Sequence, residues 1–196
     1  MCIRDRDVLD AIAEVSKAKN CATHVDGARI FNASVATKTP LHRMTRDYDS
    51  VSICLSKGLG APVGSVLVGS QDFIDQAHRW RKMFGGGMRQ SGILAAAGIY
   101  ALENNVERME DDHRRARTIA QAIDEMDHVS VDLDAVQTNM VYFSANKYSA
   151  NDVSQKMAEA GIDMFDISPT HCRIVTHLHI TDEDVSKVIE VLSNLN

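Results

Sequence analysis

Two polar residues stand where an apolar, strand-like stretch gives way to a loop. Asp26 follows the stretch Cys21–Val25 and precedes a glycine, and Lys57 follows the stretch Val51–Ser56 in the segment Ser-Lys-Gly-Leu-Gly-Ala-Pro-Val-Gly. Ligands of open α/β sheets bind at the carboxyl ends of the strands. If the two strands are neighbours, both side chains reach one crevice. The sequence therefore predicts a site that contains a carboxylate and a lysine amine.

A carboxylate and an amine at one site are the pair that pyridoxal phosphate requires. The lysine forms an imine with the cofactor aldehyde, and the carboxylate keeps the pyridine nitrogen protonated, so that the ring withdraws electrons from a carbanion at Cα. The lysine must lose its proton to react, which nearby cations or desolvation promote. Each residue alone has an ordinary explanation, since a lysine among glycines is usually a solvated turn residue and Asp-Gly is a common turn. The combination of Asp26 and Lys57 favours the cofactor site.

The composition is that of an ordinary globular protein with an acidic net charge. The 196 residues are 44% hydrophobic and 24% charged, with a formal net charge of -6. This charge argues against a nucleic-acid or anionic-membrane partner, both of which attract basic surfaces. No apolar run is long enough for a membrane span. The four cysteines are scattered without a Cys-x-x-Cys pair, which fits a reducing, cytoplasmic environment better than a disulfide framework.

Short apolar strands alternate with helices in the first part of the chain, which is typical of an α/β unit with a largely buried sheet. Helical spacing of apolar residues predicts a helix over Val8–Lys19, and Ser65–Val68 is predicted to be a third strand. Ser70 can cap the next helix, which must end at the glycines 85–87. Two more helices are predicted, Ser91–Leu102 and Val106–Met126.

The pattern changes after Met126. The segments with a strand pattern are Val129–Leu133, Met140–Phe143 and Arg173–Leu178, and those with a helix pattern are Asn151–Ala160 and Thr181–Leu195. We therefore expect a boundary near Asp127, with residues 7–126 in a larger α/β domain and residues 127–196 in a small α+β domain. Residues 1–6 lack periodicity, and we interpret them as a non-native N-terminal segment.

Three longer motifs stand out in the sequence, and the first two contain Asp26 and Lys57. They are His-Val-Asp-Gly-Ala-Arg-Ile at residues 24–30, Ser-Ile-Cys-Leu-Ser-Lys-Gly-Leu-Gly-Ala-Pro-Val-Gly-Ser at residues 52–65, and Arg-Lys-Met-Phe-Gly-Gly-Gly-Met-Arg-Gln at residues 81–90. With these motifs the chain resembles the low-specificity L-threonine aldolases, and the last two are highly specific together. Asp112-His113 and Arg-Ile-Val-Thr-His at residues 173–177 continue the resemblance, which spans about residue 8 to the C-terminus.

The resemblance implies an α/β fold of the pyridoxal phosphate fold type I, in the β-eliminating lyase group. The chain is expected to form part of the aspartate-aminotransferase-like large domain, followed by a small α+β C-terminal domain. Lys57 matches the lysine that forms the Schiff base, Asp26 the carboxylate at the pyridine nitrogen, and Arg29 the arginine at the 3-oxygen of the cofactor. Arg173 matches the arginine that holds the substrate carboxylate, a task that suits a guanidinium fork. By itself Arg173 could equally form a surface ion pair.

Other polar residues have less specific interpretations. Lys82 and Arg89 match basic residues near the active site, on the phosphate side, although a solvated helix end beside a glycine stop would look the same. His171, His177 and His179 share one parity on the last predicted strand. A structural zinc needs about four ligands, and no further ligand cluster is evident in the sequence. We therefore predict no metal and regard these histidines as packing or surface residues.

The resemblance implies cleavage of L-threonine, L-allo-threonine and other β-hydroxy-α-amino acids to glycine and an aldehyde, by a homo-tetramer or dimer. Related enzymes also carry an upstream region with a phosphate-binding loop and a histidine stacked on the ring. No counterpart is found here, so we expect a fragment that carries the lysine half of the site. Two alternatives remain open: another fold type I lyase or aminotransferase, which would share Asp26 and Lys57, and a non-catalytic module that acts only in assembly. The glycine-rich motif favours the aldolase.

Overall fold

The structure, a computed structural model, describes residues 6–195 and contains two compact units. The first unit extends to Glu107 and the second begins at Arg108. Each unit has its own sheet, with three strands in the first and four in the second. None of the helices in this part of the chain is long and apolar enough to cross a membrane. The domain boundary expected near Asp127 stays a prediction, and it differs from the division at Glu107 by one helix.

The first unit is built around a short sheet with β2 in the middle. β2 pairs parallel with β1 and antiparallel with β3. Its elements are α1 (Arg6–Ala18), β1 (His24–Asp26), α2 (Ile30–Thr37), α3 (Leu41–Thr45), β2 (Ser50–Cys54), β3 (Ser65–Gly69), α4 (Gln71–Met83) and α5 (Gly92–Asn104). The helices α2 and α3 lie outside the predicted elements. Apolar residues occur on most sides of α2, so its sequence does not show the apolar face on one side that marks an amphipathic helix.

β3 departs from the buried sheet that the sequence predicts. All five residues of β3 are exposed, and they include Val66, Leu67 and Val68. The expectation of a largely buried sheet is therefore wrong for this strand, because an apolar run indicates a strand without indicating what covers it. The helix cap after β3 is confirmed, since the hydroxyl of Ser70 accepts a hydrogen bond from the backbone N–H of Phe73 at 3.4 Å.

The second unit packs three helices against an antiparallel sheet in the order β4-β5-β7-β6. Its elements are α6 (Met109–Asp124), β4 (Val129–Val131), a 3-10 turn (Leu133–Ala135), β5 (Met140–Ala145), α7 (Ala150–Glu159), β6 (Phe165–Ser168), β7 (His171–Val175) and α8 (Asp182–Ser193). α6 contributes Ile119 and Ile123 to the same core as Val141 and Phe143 of β5. The helix belongs to this unit for that reason.

The predicted cap at the start of α8 is confirmed. Thr181 and Asp184 form a capping box at the start of α8, in which each side chain accepts a hydrogen bond from the other's backbone N–H. β7 is shorter than predicted and ends at Val175, so that His177 and His179 lie beyond the strand. β6 lies outside the predicted strands, because its four residues are too few to stand out in the sequence.

Candidate functional site

The carboxyl ends of β1 and β2 lie side by side and carry the predicted carboxylate and lysine. Asp26 is the last residue of β1 and pairs in register with Ser52 of β2. The backbone N–H of Gly27 continues this pairing and donates to the Ser52 carbonyl oxygen at 2.8 Å. Lys57 lies three residues beyond Cys54, the last residue of β2. The strands that end at Asp26 and shortly before Lys57 are therefore parallel neighbours, as the predicted site requires.

Lys57 lies in a tight loop whose backbone is held by hydrogen bonds. The Lys57 carbonyl oxygen accepts a hydrogen bond from the backbone N–H of Gly60 at 2.9 Å, and Gly60 has a positive φ of 74°. Leu59 is buried, and its carbonyl oxygen accepts a hydrogen bond from the side-chain amide of Asn105 at 2.7 Å. The Lys57 side chain is exposed and forms no ion pair with any residue that the structure describes. The loop is thus held rigidly while the amine stays accessible.

Asn105 is a positioning residue that the sequence reasoning missed. It follows α5 and lies 46 residues from its partner Leu59. An asparagine at the end of a helix has an ordinary local explanation as a cap. Only the tertiary structure shows that its amide holds the loop of Lys57.

Asp26 and Arg29 line one cavity of about 350 Å³. The Asp26 carboxylate accepts a hydrogen bond from the backbone N–H of Ala28 at 3.2 Å, and it forms no ion pair within the described part of the chain. Arg29 is partly buried at the start of α2. His24 lines the same cavity and contacts the hydroxyl of Ser50 at 2.8 Å. The Asp26 carboxylate, which forms no ion pair in the described residues, and the Arg29 guanidinium therefore line the same cavity.

Lys82 and Arg89 line a second cleft of about 500 Å³, together with His78, Arg79 and Arg81. The last two turns of α4 line this cleft, and Gly85 adopts a positive φ of 81° where the chain turns back after the helix. A Cβ atom at Gly87 would lie 3.0 Å from the Lys82 side chain, so glycine lets the loop approach the lysine stem closely. The concentration of cations suits an anionic group. Lys57 lines neither this cleft nor the cavity of Asp26.

Another cavity of the first unit lies at the opposite end of the strands. It measures about 710 Å³ and is lined by Thr23 and Asp49, which precede β1 and β2. The Asp49 carboxylate accepts hydrogen bonds from the backbone N–H and the hydroxyl of Thr23, and these bonds lower the pKa of Asp49. The Asp49 carboxylate is therefore already engaged by Thr23, and none of the predicted site residues lines this cavity.

Arg173 lies in the middle of β7 in the second unit, on the face of the sheet that points away from the core. Its neighbours Cys172 and Ile174 are buried in that core. The Arg173 guanidinium carbon lies 4.6 Å from the centroid of the Phe165 ring. Its Nε atom is buried and has no hydrogen-bond partner among the described residues. The arrangement leaves an arginine with unused donors.

Asp112 of the Asp112-His113 motif makes contacts that connect elements of the second unit. Asp112 is fully buried and pairs with Arg108, and its carbonyl oxygen accepts a hydrogen bond from the Thr176 hydroxyl at 2.7 Å. These contacts join the start of α6 to the end of β7. Desolvation lowers the pKa of His113, although the charges of Asp112 and Glu110 oppose it.

The histidines after β7 interact with each other. The rings of His177 and His179 lie edge to face, with their centroids 5.7 Å apart. The pKa of His177 is lowered, chiefly by desolvation and to a smaller extent by the nearby His179. Residues 6–195 contain no group of three or more His, Cys, Asp or Glu side chains that could hold a metal ion.

Comparisons with known proteins agree with the motifs of the sequence. The chain is 47% identical over 183 residues to the low specificity L-threonine aldolase of Escherichia coli (strain K12), a match that covers 93% of this chain and 54% of the relative. It is 42% identical over 179 residues to low-specificity L-threonine aldolase 1 of Arabidopsis thaliana, with 90% and 50% covered. The chain thus spans about half the length of the curated relatives that it matches.

Solved structures show the same fold. The threonine aldolase of Leishmania major superposes with a TM-score of 0.74 at 17% sequence identity, over 94% of this chain and 54% of that one. The expected α/β fold of the pyridoxal phosphate fold type I is therefore confirmed over the part that this chain covers. The family model of the β-eliminating lyases matches residues 3–146. The chain belongs to the β-eliminating lyase family, whose members typically depend on pyridoxal phosphate.

Proposed function

We propose that this chain is the lysine-bearing part of a pyridoxal phosphate-dependent aldehyde-lyase that cleaves L-threonine and L-allo-threonine to glycine and acetaldehyde. The observation that carries the proposal is the placement of Asp26 and Lys57 at the carboxyl ends of adjacent parallel strands. The similarity to low-specificity threonine aldolases supports the substrate class, which includes other β-hydroxy-α-amino acids.

The donor set of the first unit fits pyridoxal phosphate. Asp26 offers a carboxylate with no cation of its own, and Arg29 offers a guanidinium in the same recess. Lys57 offers an exposed amine on a fixed loop. Lys82 and Arg89 offer a cationic cleft of the kind that a phosphate requires. These four kinds of group correspond to the pyridine nitrogen, the ring oxygen, the aldehyde and the phosphate of the cofactor.

Each of these residues then has one task. When bound, pyridoxal phosphate supplies an electron-withdrawing ring that takes up the electron pair of the breaking Cα–Cβ bond. Asp26 would keep a proton at the pyridine nitrogen, because an anion beside that nitrogen favours its protonated form. Arg29, which lines the same cavity, would donate hydrogen bonds to the ring oxygen. Lys57 would hold the aldehyde end of the cofactor through its exposed amine, and its Nζ could carry a proton when it is not bonded to the cofactor.

Charge recognition at the two ends of the ligands falls to three other residues. Lys82 and Arg89 would bind the phosphate in their cationic cleft and would hold the cofactor independently of Lys57. Arg173 would bind the carboxylate of the amino acid, a task that suits the two parallel donors of a guanidinium fork.

Borohydride trapping tests the cofactor site directly. The purified chain is incubated with pyridoxal phosphate, reduced with borohydride and digested, and the modified peptide is identified by mass spectrometry. We expect one reduced adduct on Lys57 and none in the Lys57→Ala variant. Lys147→Ala removes an exposed lysine of the second unit and serves as the matched control, which should keep the adduct. An adduct that persists in Lys57→Ala would contradict the assignment.

A substrate panel separates the aldolase from the other enzymes that share this site. We expect release of acetaldehyde from L-threonine and L-allo-threonine, measured by coupling to alcohol dehydrogenase. Amino-group transfer from the same amino acids to a 2-oxo acid would indicate an aminotransferase instead. A chain that forms no adduct at all would favour the non-catalytic module.

We also propose that the active form is a cytoplasmic homo-oligomer, either a dimer or a tetramer. Exposed apolar side chains on α4 and α5 support this, since monomeric proteins rarely expose large contiguous apolar patches. Trp80 and Phe84 stack on each other at the end of α4, with Phe84 83% exposed, and Ile93 near the start of α5 is 86% exposed. Light scattering coupled to gel filtration measures the mass, and a strictly monomeric chain would refute the proposal.

A further inference from the structure

Three side chains form one row across the outer face of the second unit's sheet. Arg173 of β7 pairs in register with Tyr142 of β5 on one side and with Phe165 of β6 on the other. Residues that face each other in adjacent strands point to the same side of a sheet. The row lies on the face opposite the core, because Val141, Phe143, Cys172 and Ile174 are buried on the other face. An arginine is thus flanked by two aromatic residues on an accessible surface.

Of the two aromatic residues that flank Arg173, Phe165 is the one whose ring contacts the guanidinium. The Arg173 guanidinium carbon lies 4.6 Å from the Phe165 ring centroid, within the range of a cation–π contact. In the described residues Arg173 has no acidic partner, and its buried Nε has no acceptor. A ring contact occupies the face of a guanidinium and leaves the N–H groups at its edge available. Such an arginine is arranged to receive an anion in the plane of its fork.

We propose that Phe165 is a positioning residue, which acts by holding the Arg173 fork in the orientation that binds the substrate carboxylate. The inference rests on the proposed role of Arg173 in substrate binding. Without the ring, the guanidinium would sample several rotamers and would lose conformational freedom each time the carboxylate bound. A cation–π contact at a partly exposed site corresponds to a two- to fivefold change in affinity.

Nuclear magnetic resonance of the arginine Nε–Hε group tests this in the full chain with pyridoxal phosphate added. The Arg173 signal is identified by its loss in Arg173→Lys, and glycine, the product of the proposed reaction, is the carboxylate probe. We expect a ring-shifted signal in the unmodified chain that moves saturably with glycine. Phe165→Leu should remove the ring shift and weaken glycine binding about two- to fivefold. Phe165→Tyr, which keeps the ring, should restore both.

Two features make the test specific. Ile167→Ala removes an exposed apolar side chain from the same strand and should leave the glycine affinity unchanged. Phe165 is 58% exposed, so its replacement by leucine removes little core packing. In the aldolase assay we expect Phe165→Leu to raise KM for threonine by the same factor as the glycine dissociation constant, with kcat nearly unchanged.

The possible results separate this inference from the proposed function. If glycine moves the Arg173 signal with equal affinity in the Phe165→Leu variant and the unmodified chain, the positioning role is refuted and the carboxylate role of Arg173 stands. If glycine never moves the Arg173 signal, the carboxylate role fails, and the positioning role fails with it.

Discussion

Addition of one methyl group at Gly27 is expected to push β1 and β2 apart. A Cβ atom at this position would lie 2.8 Å from the Ser52 carbonyl oxygen and 3.2 Å from the Val51 side chain. The carbonyl oxygen is part of the backbone and cannot rotate away. Gly27 does not have a positive φ, so the effect of Gly27→Ala is steric. Overpacking of this kind costs about 1–3 kcal/mol, and the displaced oxygen is the one that Gly27 N–H bonds at 2.8 Å.

Urea unfolding of the first unit measures this cost. Trp80 is the only tryptophan of the chain and lies in α4, so its fluorescence reports on the unit that contains Gly27. With a slope typical of small proteins, the unfolding midpoint of Gly27→Ala should fall by roughly 1 M urea. Borohydride trapping at Lys57 should decrease as well, because Asp26 moves with the strand.

Gly92→Ala is the matched control for this experiment. Gly92 begins α5, and no atom lies within 4 Å of a Cβ built there. Alanine is a better helix former than glycine, so the control should be neutral or stabilised by up to about 1 kcal/mol. Equal midpoints for the two variants would refute the argument that Gly27 sets the spacing between β1 and β2.

Three further outcomes are expected for the second unit. The lowered pKa of His113 means that the unfolded chain binds its proton more readily, so stability should fall as the pH drops below the usual histidine value of 6.5. His113→Gln should flatten this dependence in urea unfolding followed by circular dichroism, and an unchanged pH slope would contradict the assignment. Burial raises the pKa of the Cys172 thiol to about 11, so a thiol reagent should label the exposed Cys21 in the native chain and Cys172 only after unfolding. Thr181→Ala removes the capping box with Asp184 and should lower the free energy of unfolding by about 1 kcal/mol, whereas no loss would show that the cap is redundant.

The predictions that held depend on signals from adjacent residues. An apolar stretch followed by Asp-Gly or Ser-Lys-Gly places Asp26 and Lys57 at strand ends without knowledge of the fold, and the structure makes those strands parallel neighbours. The cap at Ser70 and the capping box at Thr181 are likewise readable, because cap and partner lie only three residues apart.

The features that escaped prediction depend on residues that are distant in sequence. The direction and exposure of β3 are set by what packs around the strand, and its Ser-Val-Leu-Val-Gly sequence is silent on both. Asn105 holds the loop of Lys57 across 46 residues, and the pairing of Phe165 with Arg173 follows from the register of β6 on β7. The residues that neighbour each partner in the sequence do not reveal such contacts, because the contacts form only when distant parts of the chain come together in the fold.

The exposed strand β3 is expected to influence how this chain behaves at high concentration. It lies at an edge of its sheet, and the chain carries no charged residue between Lys57 and Asp72. An uncharged strand with free backbone groups and exposed valines is a template for pairing with the same strand of another molecule. Intermolecular sheet growth through Val66–Val68 is therefore the expected route of aggregation, and Val66→Lys should keep the chain in solution at concentrations where the unmodified chain precipitates.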